Sequence, residues 1–198
     1  MPMLLFLLFV FVNSFTPGSN NFMAMSFGNK YGLKRSIKFC LGVGVGFFVL
    51  ALLCSFFNLV LINLLPIIEI PLTVLGVGYM LYLAFKTLTS NDSDNNVNDR
   101  NDGGDKSLFV MGVFLQFINP KGILYGITVV TTFLLPYYNS YFSYLIFSLF
   151  LGAVGLMSSC SWSLFGSIFQ RFLVQYRKPF NIIMAVLLVY SAISIVLH

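Results

Sequence analysis

Two short polar clusters interrupt otherwise apolar stretches of this 198-residue chain, and each contains a proline. The first is Thr16-Pro17-Gly18-Ser19-Asn20-Asn21. The second is Gln116-Phe117-Ile118-Asn119-Pro120-Lys121-Gly122. Proline removes a backbone donor and displaces the carbonyl four residues earlier, so a helix carrying either cluster is broken there. In lipid no bulk water replaces the lost bonds, and the freed groups need other partners. Amides at the start of a half-helix suit a carboxylate, and freed carbonyls suit an ammonium. An amino acid in zwitterionic form carries both. The candidate substrate-binding residues are therefore Thr16, Pro17, Gly18, Asn20 and Asn21 from the first cluster, with Gln116, Asn119, Pro120 and Lys121 from the second. A charge such as Lys121 near a bilayer centre costs about 2.5–3.5 kcal/mol on insertion scales, and such residues usually line a functional cavity. Its expected role is counter-charge to a substrate carboxylate, or a group that gives up its proton more readily when water is excluded.

The elements that must position these clusters follow from composition. The hydrophobic fraction is 58% and the charged fraction 9%, against roughly 25% charged residues in soluble domains. Seventeen charges (11 Lys and Arg, 6 Asp and Glu) cannot cover the surface of a soluble domain this long. Disordered chains are poor in apolar residues and rich in charge, so disorder is excluded too. Six apolar stretches can be read, at about 3–27, 39–62, 71–89, 108–135, 141–169 and 180–197. Their continuous character indicates helices rather than barrel strands. The N-terminal run MPMLLFLLFVFV lacks a basic leader and a small-residue cleavage site, so it reads as the first crossing. The fold expected is an all-α polytopic membrane protein with six transmembrane helices.

Charge placement gives the direction. Lys30, Lys34, Arg35 and Lys38 fall in a loop expected at 28–38; a second loop holds Arg100 and Lys106, with Lys86 at its edge; Arg171, Arg177 and Lys178 precede the last helix. The opposite connections, 63–70 and 136–140, hold no basic residue. By the positive-inside rule the basic loops are cytoplasmic, and both termini are periplasmic. Basic residues between apolar blocks, without interleaved aromatics, also argue against nucleic-acid binding. The stretch NDSDNNVNDRNDGGDK at 91–106 reads as a flexible tether. Asp92, Asp94 and Asn96 begin a calcium-loop spacing, but Val97 stands where its Gly should be and no Glu follows, so no metal or cofactor is expected.

Each proline lies 12–14 residues into its helix, roughly 18–21 Å along it. Helix one runs inward and helix four outward, so the two breaks occupy matching places in oppositely directed halves. That pattern indicates one transporter domain over 1–198, built as two inverted three-helix repeats with broken helices 1 and 4. Repeat one covers about 1–89, the loop 90–107, and repeat two about 108–198. Glycines at 42, 44 and 46, and at 122 and 126, are read as packing positions. Tyr79 and Tyr82 are read as interhelical hydrogen bonders or interface anchors before cavity residues. Cys40, Cys54 and Cys160 form no C-x-x-C pair and read as small apolar residues.

At the breaks the chain resembles the amino-acid exporters of the LysE/RhtB superfamily. T-P-G-x-N at 16–20, G-x-G-Y-M-L-Y-L-A at 76–84 and F-I-N-P-K-G at 117–122 match that family in order and spacing. LQFINPKGILYGITVVTTFLLP at 115–136, FQRFLVQY at 169–176 and LLVY at 187–190 place the likeness nearest its exporters of cysteine and O-acetylserine. The resemblance implies a non-enzymatic, multi-pass carrier of the bacterial inner membrane that exports small neutral amino acids or their derivatives. It also marks Thr16, Pro17, Gly18, Asn20, Asn119, Pro120 and Lys121 as motif positions. Ser19 stands where the family usually has a second proline. The expected partners are a small amino acid and the lipid bilayer, with a homo-oligomer left open.

Other classes fit less well. A passive channel or accessory membrane subunit is the main alternative. A transmembrane thiol–disulfide electron carrier would need cysteines beside the prolines, where Gly18 and Lys121 stand. An intramembrane hydrolase has no matching G-x-S-x-G or H-E-x-x-H here.

Overall fold

The computed structural model describes residues 1–89, 105–169 and 177–196, and among them it contains helices and no strand. The helices are α1 (Met3–Phe15), α2 (Ser19–Tyr31), α3 (Leu33–Phe56), α4 (Asn58–Thr89), α5 (Asp105–Ile118), α6 (Pro120–Val129), α7 (Tyr141–Ile168) and α8 (Arg177–Val196). A π-helical turn, Val130–Leu134, continues α6. Two helices, α3 and α7, are each long and apolar enough to cross a membrane alone. The pair α1–α2, bent by 52°, and the pair α5–α6, bent by 66°, each qualify as one broken span. Shorter apolar stretches are Thr73–Thr89 of α4 and Lys178–Ile193 of α8. The tether expected at 91–106 lies outside the described residues up to 104, as do Arg100, Arg171 and His198.

Two expected connections are helical instead. The basic loop expected at 28–38 is reduced to Gly32, the one residue between α2 and α3. Glycine makes so abrupt a junction feasible: Gly32 has φ 74° and ψ 168°, a region essentially closed to residues with a Cβ. The connection expected at 63–70 also lies inside a helix. The chain turns at Phe57 and then runs as α4 through Pro66, Glu69 and Pro71. A proline inside a helix removes one hydrogen bond and need not end it. The Leu- and Ile-rich residues around these prolines favour helix.

Helix α3 packs most extensively against α7 and α5; α2 lies on α7, and α4 pairs with α8. The glycines of α3 make these approaches. A Cβ on Gly42 would strike the carbonyl of Phe109 and come within 3.1 Å of the Gly112 Cα. Gly44 meets the Gly152 carbonyl of α7 at 3.1 Å in the same sense. These positions do the packing expected of them. Near the α2–α3 junction, the buried hydroxyls of Ser36 and Ser163 share a 2.5 Å hydrogen bond between α3 and α7. Toward the opposite end, Phe6 meets the rings of Phe133, Phe147 and Phe150 at centroid distances of 5.8, 5.6 and 5.8 Å. Large apolar side chains such as Leu4, Phe114 and Leu149 face outward on different helices. An apolar surface this widespread fits a lipid environment.

Gly32→Ala is expected to destabilise the protein by about 1–3 kcal/mol, because only its backbone conformation is at issue. A Cβ there meets nothing within 4 Å. Gly78→Ala is the matched control in an equally open position with no positive φ, and is expected to hold or raise stability by up to about 1 kcal/mol. Thermal unfolding in detergent, side by side, checks the difference.

Candidate binding site

Both breaks are local consequences of proline. The residue before a proline is driven out of the helical region toward extended geometry. Thr16, before Pro17, has φ −61° and ψ 135°; Asn119, before Pro120, has φ −77° and ψ 105°. Pro120 then opens α6 with its ring at the first turn, where a missing N–H breaks no helical bond. Gly18 precedes α2 in extended form, and no side chain caps that helix start.

Between the breaks lies a small cavity with an open mouth. One wall is polar and comes from both breaks: Gly18, Asn20, Asn21, Gln116, Asn119 and Lys121. The other includes Val43 and Phe47 of α3, Tyr125 of α6 and Gly155 of α7. The Phe47 and Tyr125 rings stack at 5.0 Å with 13° between planes. Among the described residues lining the cavity, Lys121 alone carries a charge, and no cysteine takes part.

The carbonyls released at the end of α1 are caught by side chains from four other helices. Asn21 Nδ2 of α2 donates to the Ser14 and Thr16 carbonyls at 2.9 and 3.0 Å. Lys121 Nζ of α6 donates to the Thr16 carbonyl at 2.9 Å. Ser158 Oγ of α7 donates to the Ser14 carbonyl at 2.7 Å, and Ser191 Oγ of α8 reaches the Pro17 carbonyl at 3.1 Å. The positive Lys121 thus sits at the negative end of the α1 dipole, where a cation is stabilised. Gly18 leaves room for it, since a Cβ there would lie 3.3 Å from Lys121 Cδ.

A second set of polar atoms on the cavity has no partner. Gln116 Nε2, Asn119 Oδ1, Asn20 Oδ1 and Ser159 Oγ are buried and unbonded. Gln116, Asn119 and Ser159 are 2%, 5% and 1% exposed. Buried polar groups without partners are uncommon, and four around one cavity favour a polar ligand there. Donors and acceptors are both present, as a zwitterion needs.

Of the nine residues expected at the site, six line the cavity: Gly18, Asn20, Asn21, Gln116, Asn119 and Lys121. The other three shape it through the backbone. Thr16 is exposed and its hydroxyl donates to the Val12 carbonyl, Pro17 offers only its carbonyl, and Pro120 is buried at the start of α6. Gly122, read as a packing position, lines the cavity instead. Tyr79 donates to Met23 Sδ at 3.2 Å and Tyr82 is exposed, so neither joins the cavity wall. Sequence reasoning missed Asn13, Ser14, Tyr125, Ser158 and Ser159. The adjacent Ser158-Ser159 pair within an apolar helix was the available signal.

The LysE type translocator family matches residues 11–198. The cysteine/O-acetylserine efflux protein of Salmonella typhimurium is 38% identical over 198 residues, covering 98% of each chain. Its counterpart from Klebsiella pneumoniae is 34% identical over 193 residues, covering 98% of this chain and 96% of that one. The counterpart from Escherichia coli O6:K15:H31 is 33% identical over 187 residues, covering 94% and 93%. No solved structure matches the chain.

Asn21→Ala leaves the Ser14 and Thr16 carbonyls short of a donor and is expected to lower stability by about 2–3 kcal/mol. Thermal unfolding against the parent protein measures the loss; an unchanged midpoint would mean the break is not held by this side chain.

Proposed function

The chain belongs to the LysE type translocator family, and from that premise we propose that it is a secondary exporter of small neutral amino acids or their derivatives. Cysteine and O-acetylserine head the candidates, since proteins named for their efflux are 33–38% identical over nearly the whole chain. The observation that carries the reading is the cavity between two broken helices, ringed by buried polar atoms without partners. It suits a small molecule with no net charge that carries both an ammonium and a carboxylate. The orphan amide oxygens of Asn20 and Asn119 suit the ammonium, and the uncapped start of α2 beside Gly18 suits the carboxylate. Lys121 then acts on two counts, holding the Thr16 carbonyl and keeping the cavity positive toward a carboxylate.

On this reading the chain makes six crossings of the bacterial inner membrane in two inverted repeats. The α1–α2 pair, α3 and α4 form one; the α5–α6 pair, α7 and α8 form the other. The two breaks support this arrangement, because each repeat opens on a helix bent at a proline. The basic residues flanking Gly32 would lie in the cytoplasm, and both termini in the periplasm. Alternating exposure of the cavity then requires no enzymatic step and no resident cofactor.

Proteoliposomes holding the full chain are expected to exchange labelled cysteine or O-acetylserine for the same compound inside, with trans-stimulation. Uptake without trans-stimulation would point to a channel. Asn119→Ala and Lys121→Met should each reduce exchange at least about tenfold, the loss of one or more hydrogen bonds to a charged group. For orientation, a membrane-impermeant thiol reagent applied to spheroplasts should label a Tyr141→Cys variant and spare Lys34→Cys. Both positions are exposed on the protein surface.

A further inference from the structure

The cavity's polar atoms divide into those already bonded and those left over, and the division assigns work. Asn21, Lys121 and Ser158 are engaged in holding the broken end of α1. Ser159 is not. It follows Ser158 on α7, is 1% exposed, lines the cavity and has no hydrogen-bond partner. A helical serine normally has a ready acceptor in the carbonyl four residues back. Ser55 uses the Ala51 carbonyl at 2.9 Å, Ser161 the Met157 carbonyl at 2.8 Å and Thr87 the Leu83 carbonyl at 2.7 Å. Ser159 leaves that option unused. Ser19 and Ser148 are also unpaired, but neither lines the cavity.

Gln116 is its counterpart on α5. The side chain is 2% exposed, and its Nε2 has no partner. It reaches the cavity because Gly46 has no side chain: a Cβ there would come within 2.7 Å of Gln116 Cγ. One hydroxyl from α7 and one amide from the last turn of α5 therefore face the cavity, whose wall also holds the Phe47–Tyr125 stack. The two together offer a donor and a group able to donate or accept.

Resting on the exporter reading above, we propose that Ser159 and Gln116 select the substrate by its side chain. The helix breaks hold the ammonium and carboxylate common to all amino acids. Ser159 and Gln116 bond a heteroatom carried on a short side chain, so the site takes β-substituted small amino acids (a hydroxyl, thiol or acyl ester on the β-carbon) in preference to alanine. A buried site built to hydrogen-bond a substrate group discriminates strongly against the analogue that lacks it.

The test is counterflow in proteoliposomes of the full chain, with serine, O-acetylserine and alanine as labelled probes, alongside thermal unfolding of each variant without substrate. Ser159→Ala is expected to lower the serine-to-alanine and O-acetylserine-to-alanine ratios of kcat/KM about tenfold. The same variant should unfold at the same temperature or higher, because it removes a buried hydroxyl that the empty protein leaves unbonded. A structural serine would give the reverse, a lower unfolding temperature and an equal loss for all three probes. Gln116→Met, similar in volume, is the second variant and should lower the same ratios. Unchanged ratios in both variants, or equal losses across the probes, overturn the assignment and leave the exporter reading standing. A parent protein that moves none of the probes overturns the exporter reading and this assignment with it.

Discussion

A backbone polar group released inside an apolar protein has to be satisfied by the protein itself, and this architecture depends on that requirement. Pro17, which carries no N–H, follows the end of α1 and leaves carbonyls there without their helical donors. The carbonyls of Ser14, Thr16 and Pro17 are instead bonded by Asn21, Lys121, Ser158 and Ser191, each from a different helix. Those four helices are thereby fixed around the end of α1. Proper assembly and a satisfied break are one condition, since neither is complete without the other. The cavity is what remains inside the ring that the condition creates.

The second break is handled differently. Asn119 is the only residue between α5 and α6, and its Oδ1 is left without a partner. Pro120 sits where α6 needs no donor. One break is thus tied by side chains and the other leaves side chains untied. The polar wall of the cavity inherits part of this asymmetry: bonded groups gather near Thr16, and the unbonded ones are Asn20, Gln116, Asn119 and Ser159.

Much of this was legible in the residues. The two breaks were readable because a proline flanked by Thr, Asn, Gln or Lys inside an apolar run both interrupts a helix and supplies polar groups to the interruption. The glycines of α3 were readable because repeated small residues mark a close helix approach. What escaped was set by tertiary context. Ser158 and Ser159 differ by one position on α7, yet one bonds the Ser14 carbonyl and the other does not. Only the helix rotation relative to α1 decides that. The loop expected at 28–38 failed for a local reason. Basic residues mark the side of a membrane but say nothing against helix, and Gly32 alone supplies the turn. At 63–70 the prolines suggested an end, although nothing in the surrounding Leu and Ile residues opposed continuation.

The bond from Lys121 to Thr16 joins the two bends themselves. A rod with one joint can flex on its own, and two such rods have two independent motions. Linked joint to joint, they have fewer: opening the angle at Pro17 pulls on the residue just after Pro120. The 52° and 66° bends are in this sense parts of one linkage. The Lys121 ammonium joins the two breaks directly, and Ser158 ties the first of them to the unbroken helix α7.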